Sequence, residues 1–395
     1  MCSPNKTPRH IYDVLQPLLK FSKVCGLSIF HIVGEPPYVQ IIVTPGDYAA
    51  LAVNVTLNCL CVYLNIFNGR MSRLTGSAVM DAGMGFLFPF GAIIMIVLAI
   101  DNFLRRHSTC AIIAELFQVD RSLQRKNLKL DHRQQYLMLF RSLMVLVTLV
   151  MIGTTFSLLM AIVSRFSLIS HAINAYSYLL TGIQFMIVNF HFVSAARLVT
   201  YRLEMIKQGL RHSMEAGSWW IDRKHRWGRK VDPIDVIGEL GNDYAALLHI
   251  VERVNRIYSN QIIFLVTGVG MFSIFVIYSA SYSYYLGKTD EVRLTGILLT
   301  AWVFYVIMMG LIFSSGMKVD DASRDIVYVL SKAVQREGDL AIRRKLLSLS
   351  QQILFRQPTM RSLFYAFNWK TAFNMCGFVV TYLVILIQFA DISDS

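Results

Sequence analysis

Residues 371–390 read TAFNMCGFVVTYLVILIQFA, an apolar run long enough to cross a bilayer as a single helix. Within this run Thr381, Ile385 and Gln388 follow one another at intervals of four and three, so their side chains share one face of the predicted helix. Polar side chains inside a membrane are costly unless they face water or another protein surface. The run therefore predicts a helix that lines a pore built from several copies of the chain. Hydrogen bonding of Gln388 to a neighbouring helix is the alternative.

Six more apolar stretches of comparable length precede this one, in a chain of 395 residues that is 55% hydrophobic and 16% charged. Their number and length predict an all-α integral membrane protein with seven transmembrane helices. The predicted spans are 48–67, 78–100, 143–163, 172–193, 262–286, 294–316 and 371–390.

The net charge of +13 is concentrated on one side of this topology. When the seven spans alternate across the membrane, 33 of the 38 Lys and Arg residues lie on the same side as the N-terminus. The positive-inside rule then predicts a cytosolic N-terminus and an extracellular C-terminus. The basic excess is explained by topology, with attraction to anionic membrane lipid as a consequence, and it does not indicate a nucleic acid partner.

The topology divides the chain into five regions. Residues 1–47 form a cytosolic N-terminus, where apolar spacing over 11–33 predicts an amphipathic helix lying against the inner membrane surface. Residues 48–316 form a six-helix ligand-sensing bundle with two long cytosolic loops, 101–142 and 194–261.

Within the second long loop, helical periodicity over 197–208 and 244–260 predicts that the fourth and fifth spans continue into the cytosol as helices. The segment 209–243 between them is rich in Gly, Arg and Trp and is predicted to be a flexible loop.

The remaining three regions form the C-terminal part. Residues 317–370 are predicted to be a cytosolic helical linker, with an amphipathic helix pair over 321–355 that is broken at Gly338. The pore-lining helix follows over 371–390, and residues 391–395 form an extracellular tail.

Asp81 is the one carboxylate inside the seven predicted spans, and these spans contain no Lys or Arg. Proton relays and voltage sensors need series of charges within the membrane, so both classes are disfavoured. A transporter is disfavoured further because the chain shows no internal repeat. Asp81 lies near the outer end of the second span, as a carboxylate at headgroup depth or as the polar anchor of an outward-facing ligand pocket.

Aromatic and hydroxyl side chains gather in the outer halves of several predicted spans, as they do in sites for small molecules. An aromatic belt at the membrane interface is the alternative for any single tyrosine. Together with Asp81, the candidate ligand-binding residues are Thr154, Thr155, His171, Asn174, Tyr178, Tyr278, Tyr282 and Trp302.

Asp391 and Asp394 follow the last span without a basic residue nearby. Repeated around a pore axis, these carboxylates would concentrate cations at the outer mouth; a solvated tail is the alternative. Just inside them, an apolar ring of Ile385 beside a polar ring of Gln388 would gate a pore by dewetting.

No hydrolase, metalloprotease or nucleotide-binding motif occurs in the sequence. The six cysteines show neither a CxxC pair nor another metal-binding spacing. We therefore expect no enzymatic activity, no metal and no cofactor.

Thr381-Tyr382, followed at the end of the chain by Gln388-Phe389, resembles the C-terminal signature of the insect gustatory receptors. The resemblance implies a ligand-gated, non-selective cation channel in which four subunits, identical or related, surround a pore lined by the seventh helix. It implies a gate at Ile385, Gln388 and Phe389, and a pocket for a small-molecule tastant in the outer half of the other six helices. It also implies a place in the plasma membrane of sensory neurons, in the dendrite.

Two features of the sequence differ from parts of that family. Leu383 stands where the sugar-sensing branch usually has an acidic residue, which points away from that branch. Residues 367–370, which read FNWK, depart from the family's usual aspartate-containing pattern.

The main alternative is a receptor that signals through G proteins, which also has seven spans. Its extracellular N-terminus would place 33 of the 38 basic residues outside, against the charge rule. A further alternative is a structural or co-receptor subunit of a heteromeric receptor.

Overall fold

The computed structural model describes residues 8, 10–27, 31–33, 40–67, 78–126, 128, 130–163, 168–215, 233–286 and 289–393. These residues are mostly helical, with one antiparallel pair of short strands, β1 (His31–Val33) and β2 (Gln40–Ile42). The helices are α1 (Ile11–Val24), α2 (Pro45–Phe67), α3 (Ala78–Leu104), α4 (Arg106–Arg125), α5 (His132–Val163), α6 (Leu168–Glu215), α7 (Pro233–Leu286), α8 (Thr289–Arg336), α9 (Leu340–Phe355) and α10 (Trp369–Ser393).

The prediction of seven membrane-spanning helices is confirmed. Seven described helices, α2, α3, α5, α6, α7, α8 and α10, are long and apolar enough to cross a bilayer. Of these, α6 and α8 have 48 residues each and α7 has 54. At 1.5 Å per residue they are about 70–80 Å long, against a hydrocarbon core of about 30 Å. These three helices therefore extend far beyond the hydrocarbon core. For α6 and α7, the periodicity over 197–208 and 244–260 predicted this extension.

The two ends of the bundle differ, and we name them by their connections. At the short-loop end, α2 and α3, α5 and α6, and α7 and α8 are joined by few residues; at the extension end, the long helices project. Helix α6 is the central element and packs against α8, α5 and α7. Of the residues in its apolar window, the apolar 18-residue segment that marks each candidate span, 67% are buried. Its buried residues Phe185, Phe190, Phe192 and Val199 join one hydrophobic core that continues from the spans into the extension end.

The amphipathic helix predicted over 11–33 is shorter, and it packs on protein. Helix α1 ends at Val24, followed by Gly26 at a φ of +67°, a left-handed conformation that favours glycine. Ile11 and Val14 on its apolar face are buried in the core that α1 shares with α4 and α5. The expected contact of this apolar face with the membrane surface is therefore corrected to a contact with the chain itself.

The first long loop, 101–142, contains a helix that the sequence analysis missed. Helix α4 buries Ile112, Leu116, Val119 and Leu123, which recur at helical spacing on one face. Both neighbouring long helices, α6 and α7, contact α4.

Helix α4 also contributes one half of a buried ion pair. Arg202 Nη2 on α6 donates to Asp120 Oδ2 at 2.6 Å, and Arg202 Nη1 donates to Leu198 O at 2.7 Å. The Arg202 side chain is fully buried and that of Asp120 almost fully. The pair fixes α4 against the extension of α6.

Both ends of the flexible loop predicted over 209–243 are helical instead. Helix α6 continues to Glu215, and α7 begins at Pro233 with Asp235 in its first turn, a favourable start for a helix. Residues 216–232 lie outside the described residues.

The helix pair predicted over 321–355 is present as the last part of α8 and all of α9. The break falls around Gly338, and Asp339 then caps α9 by accepting a hydrogen bond from Ala341 N at 2.7 Å. Helix α9 packs against α8 and α7. Residues 356–368 lead from α9 to the last helix, α10.

Candidate functional site

Helix α10 is apolar and yet almost entirely exposed within its own chain. Only 6% of its apolar window is buried, against 67% for α6. Large side chains such as Phe373, Phe378 and Val384 are exposed by 72%, 57% and 48%. Because α10 contacts just α7 and α8 of its own chain among the larger interfaces, most of its surface is available to lipid or to other subunits.

The two faces of α10 have different compositions. The less exposed side chains recur at helical spacing and include Met375, Leu383 and Leu386, of which Met375 packs against the core of the bundle. Ile385 and Gln388 follow Leu383 and Leu386, respectively, by two positions, which is about 200° around a helix. The polar stripe therefore lies on the opposite face of α10 from these less exposed side chains.

The members of the predicted gate and motif differ in their surroundings. Thr381 is exposed and its hydroxyl donates to Gly377 O at 2.9 Å, while the Tyr382 ring lies 4.4 Å from the Phe378 ring. Gln388 is exposed and makes no hydrogen bond to another described residue. Ile385 is 39% exposed.

Three further predicted residues lie at the end of the helix. Helix α10 runs to Ser393, so Asp391 belongs to the helix and not to a tail that begins after 390. The side chains of Phe389 and Asp391 and all of Asp394 lie outside the described set.

The sequence analysis missed one member of the exposed stripe. Asn374 lies seven residues before Thr381, which is two turns of helix, and it is exposed. Asn374, Thr381 and Gln388 thus recur every seven residues on one face of α10.

Residues 356–368, which we call the linker, pack against the bundle and position α10. Phe367 is 2% exposed, and its ring meets the rings of Phe192 at 5.1 Å and Tyr365 at 5.7 Å. A Cβ added to Gly316 of α8 would lie 2.4 Å from Phe367 O, so the linker backbone passes directly over a glycine. Burial raises the pKa of Tyr365 to about 12, so its hydroxyl stays neutral in the linker.

Helix α7 holds the same linker through hydrogen bonds. Asn255 Nδ2 donates to Thr359 O at 2.8 Å and its Oδ1 accepts from Arg361 N at 3.1 Å. Ser259 Oγ accepts from Leu363 N at 2.9 Å. One turn of α7 is therefore bonded directly to the segment that enters α10.

Asn368 caps the N-terminus of α10. Its Oδ1 accepts from Thr371 N at 2.9 Å and from Thr371 Oγ1 at 3.1 Å, and Thr371 Oγ1 also donates to Ala366 O at 2.8 Å. The asparagine in the FNWK sequence thus supplies the side-chain oxygen that an aspartate would supply at this position.

We expect Asn368→Ala to destabilise the start of α10, by about 1 kcal/mol, because Thr371 N loses its acceptor. Asn368→Asp should keep the cap and add a favourable interaction with the helix dipole. Thermal unfolding of the purified receptor measures both. Asn260→Ala, the same change at an exposed position of α7, is the control. Equal melting temperatures for the Ala and Asp variants would contradict the capping role.

Three predicted ligand-binding residues, Tyr278, Tyr282 and Trp302, lie in the short-loop halves of α7 and α8, where they make separate contacts. The rings of Tyr278 and Tyr282 stack with centroids 6.2 Å apart. Trp302 Nε1 donates to Ser273 Oγ at 2.8 Å, and Ser279 Oγ lies 3.0 Å from Thr295 Oγ1. We call these six residues the α7–α8 cluster: Ser273, Tyr278, Ser279, Tyr282, Thr295 and Trp302.

Two other candidate ligand-binding residues have described side chains, and their hydroxyls form hydrogen bonds within their own helix, α5. Thr154 is buried and its hydroxyl donates to Val150 O at 2.9 Å, while the exposed Thr155 donates to Met151 O at 2.9 Å. The structure does not bring these two into the α7–α8 cluster. The other predicted residues lie in α3 or α6 at the short-loop end, with side chains outside the described set: Asp81, His171, Asn174 and Tyr178.

A second polar stripe was missed on α2. Asn54, Asn58, Cys61 and Asn65 follow one another at intervals of four, three and four, and all are buried. Asn65 Nδ2 donates to Ser177 Oγ of α6 at 2.9 Å. The same helical spacing indicated the polar stripe of α10, but the hydrogen-bond partners of the α2 stripe belong to the same chain.

Comparison with known proteins identifies the family and the fold. Residues 15–392 match the family described as 7tm Chemosensory receptor. The chain is similar to the structure of the insect olfactory receptor OR5 from Machilis hrabei, with a TM-score of 0.68 and 12% identity over 96% of this chain and 98% of that chain. It is also similar to that receptor in complex with eugenol, with a TM-score of 0.63 and 13% identity over 95% of this chain and 97% of that chain. No curated protein matches the sequence.

Proposed function

This chain belongs to the 7tm chemosensory receptor family, and from that premise we propose that it is a gustatory receptor that acts as a ligand-gated, non-selective cation channel. Binding of a small-molecule tastant opens a pore and depolarises a sensory neuron. The N-terminus is cytosolic, and the short-loop end of the bundle faces outside, because 33 of the 38 basic residues then lie inside.

The observation that carries the proposal is the exposure of α10. A membrane helix with 6% of its apolar window buried and an exposed polar stripe is incomplete in a single chain. Four subunits around one axis give Thr381, Ile385 and Gln388 a shared aqueous path. The apolar ring of Ile385 then closes the path by dewetting, and Gln388 and Phe389 complete the gate.

The carboxylate of Asp391 lies beyond the gate in sequence, on the last turns of α10. With that of Asp394, it favours cations at the outer mouth in each of four subunits.

The α7–α8 cluster is the proposed ligand site. Two stacked tyrosines and a tryptophan supply aromatic surface, and the hydroxyls of Ser273, Ser279 and Thr295, which are bonded locally, lie on the same two helices. The similar receptor from Machilis hrabei was solved with eugenol, a small molecule, which supports a site of this class here. The signature Thr381-Tyr382 with Gln388-Phe389 favours a gustatory receptor, and Leu383 favours a branch other than the sugar-sensing one.

The decisive test is cysteine accessibility on α10. The exposed thiols of Cys59 and Cys376 are first replaced by Ser, because Cys376 lies on α10 itself. Ile385→Cys and Gln388→Cys are then treated with a charged thiol reagent during stimulation with a panel of tastants. We expect modification at both positions and loss of most of the evoked cation current.

Leu383→Cys is the matched control, because its side chain is less exposed and lies about 200° around the helix from Ile385, so it should react much less. If the reagent leaves 385 and 388 unmodified under every stimulus, α10 does not line the conduction path. Equal reaction at 383, 385 and 388 would show a helix surrounded by water, without the proposed orientation.

A further inference from the structure

The linker contains a tight turn, residues 361–366, whose ends pair as an isolated β-bridge. Ser362 holds this linker turn together: its amide donates to Tyr365 O at 2.8 Å, and its hydroxyl accepts from Tyr365 N at 3.1 Å. At the tip, Leu363 and Phe364 are exposed by 77% and 75%. Two adjacent large apolar side chains that a turn holds in this position indicate a contact with a surface outside the chain.

The linker turn lies at the level where two membrane spans begin. Leu363 N donates to Ser259 Oγ of α7 at 2.9 Å, three residues before the predicted α7 span starts at 262. The candidate span of α10 begins at Trp369, three residues after the turn. Both spans therefore place the turn at the same boundary of the membrane.

Basic and apolar residues follow one another here in the order that a lipid leaflet requires. Arg361 N is bonded to Asn255 Oδ1, which lies four residues, or about 6 Å, further from the α7 span than Ser259. Arg256, next to Asn255, is exposed. On the span side of Ser259, Phe264 is exposed by 45%. Along α7 the two arginines thus come first, at headgroup depth, and the apolar tip and the exposed phenylalanine follow toward the hydrocarbon.

The charges beside the linker turn are basic and unpaired. Arg256, Arg361 and Lys370 are exposed and form no ion pair with a described residue. Residues 340–390 contain no Asp or Glu, so this part of the chain supplies no carboxylate to neutralise them. A second copy that presented the same turn would add like charges, whereas an anionic phospholipid offers a phosphate for the basic groups and hydrocarbon for the tip.

We propose that the linker turn attaches the receptor to the membrane: Leu363 and Phe364 enter the leaflet at the extension end, and the three unpaired basic residues bind the phosphates of anionic phospholipids. Apolar burial at the headgroup boundary and attraction to anionic lipid act together in such contacts. Because the turn ends three residues before Trp369, the attachment fixes the depth at which α10 enters the membrane. The lipid contact itself does not depend on the proposed channel function.

Quenching by lipid-borne nitroxides tests the insertion. In the background with Cys59 and Cys376 replaced by Ser, Leu363→Cys carries a small fluorophore, and the full-length receptor is placed in nanodiscs whose phospholipids bear a nitroxide on an acyl chain. We expect most of the fluorescence to be lost relative to nanodiscs without nitroxide. Leu340→Cys is the matched control, because Leu340 is exposed by 66% and follows the end of α8, about 30 Å beyond the predicted α8 span. A fluorophore there should stay unquenched.

The charge of the quenching lipid tests the role of the basic residues. A nitroxide-bearing phosphatidylserine, diluted into unlabelled phosphatidylcholine, should quench the fluorophore at 363 at a lower mole fraction than nitroxide-bearing phosphatidylcholine does. Arg361→Gln should reduce this preference for the anionic lipid about fivefold. Arg336→Gln, at an exposed position in the last turn of α8, should leave the preference unchanged.

A fluorophore at 363 that neither lipid quenches would overturn the insertion. Disulfides that form between subunits at Leu363→Cys, together with absence of quenching, would assign the turn to an interface between copies of the chain. Equal quenching by the two lipids, or an unchanged preference in Arg361→Gln, would overturn the binding of anionic phospholipid. None of these measurements needs a current, so a receptor that is quenched as expected and conducts nothing would count against the channel and not against the lipid contact.

Discussion

Asp120→Ala is expected to destabilise the receptor by about 3–5 kcal/mol, because it leaves the guanidinium of Arg202 buried without its counter-charge. Arg202 is fully buried, and its other paired nitrogen bonds a carbonyl, Leu198 O, which does not neutralise it. At the usual scaling of unfolding entropy with chain length, the melting temperature should fall by roughly 4–6 °C. Thermal unfolding of the purified protein measures the change.

A double variant separates the ion pair from simple packing. Asp120 Oδ1 and Arg202 Nε have no hydrogen-bond partner among the described residues, so the pair is not fully satisfied even in the native protein. Replacing both residues with apolar ones, Asp120→Leu with Arg202→Met, should therefore recover most of the stability. Asp321→Ala, at an exposed position of α8, should have little effect. A double variant as unstable as Asp120→Ala would mean that the unpaired charge is not the cause of the loss.

This pair also marks what the sequence could not reveal. Asp120 and Arg202 are 82 residues apart, and each resembles an ordinary charge in a basic segment between two predicted spans. Periodicity and length predict local elements such as the seven spans, because both are properties of contiguous residues. Which residue of another helix a side chain contacts depends on tertiary packing. No fixed spacing in the sequence indicates such a pair.

The two polar stripes, on α2 and α10, also show what the sequence could predict about the candidate site and what it could not. Asn58 and Asn65 on α2, and Thr381 and Gln388 on α10, follow the same helical spacing, and the same rule predicts that each stripe faces water or protein. Burial then distinguishes them. The α2 stripe bonds to its own chain, whereas Gln388 has no partner among the described residues. The sequence could identify a stripe, but only the fold shows which stripe finds its partners within its own chain.

Gly316→Ala should destabilise the seat of α10, because the new methyl group would lie 2.4 Å from Phe367 O and 2.9 Å from Phe367 Cβ. A backbone carbonyl cannot rotate aside as a flexible side chain can, so the linker has to move. Overpacking of this kind costs about 1–3 kcal/mol or more. Phe367 would withdraw from Phe192 and Phe313, and α10 would lose its fixed position relative to the bundle. We expect a lower melting temperature and, if α10 is the pore helix, a strongly reduced tastant-evoked current.

Gly310→Ala on the same helix is the matched control, since an added Cβ there meets nothing within 4 Å. Alanine is the better helix former by up to about 1 kcal/mol, so this variant should be as stable as the native protein or more stable. The two substitutions are chemically identical and six residues apart in α8, yet the expected changes in stability have opposite signs. That contrast isolates the contact with the linker from helix propensity. Equal melting temperatures for both variants would show that the linker yields without resistance, and Phe367 would then not fix the position of α10.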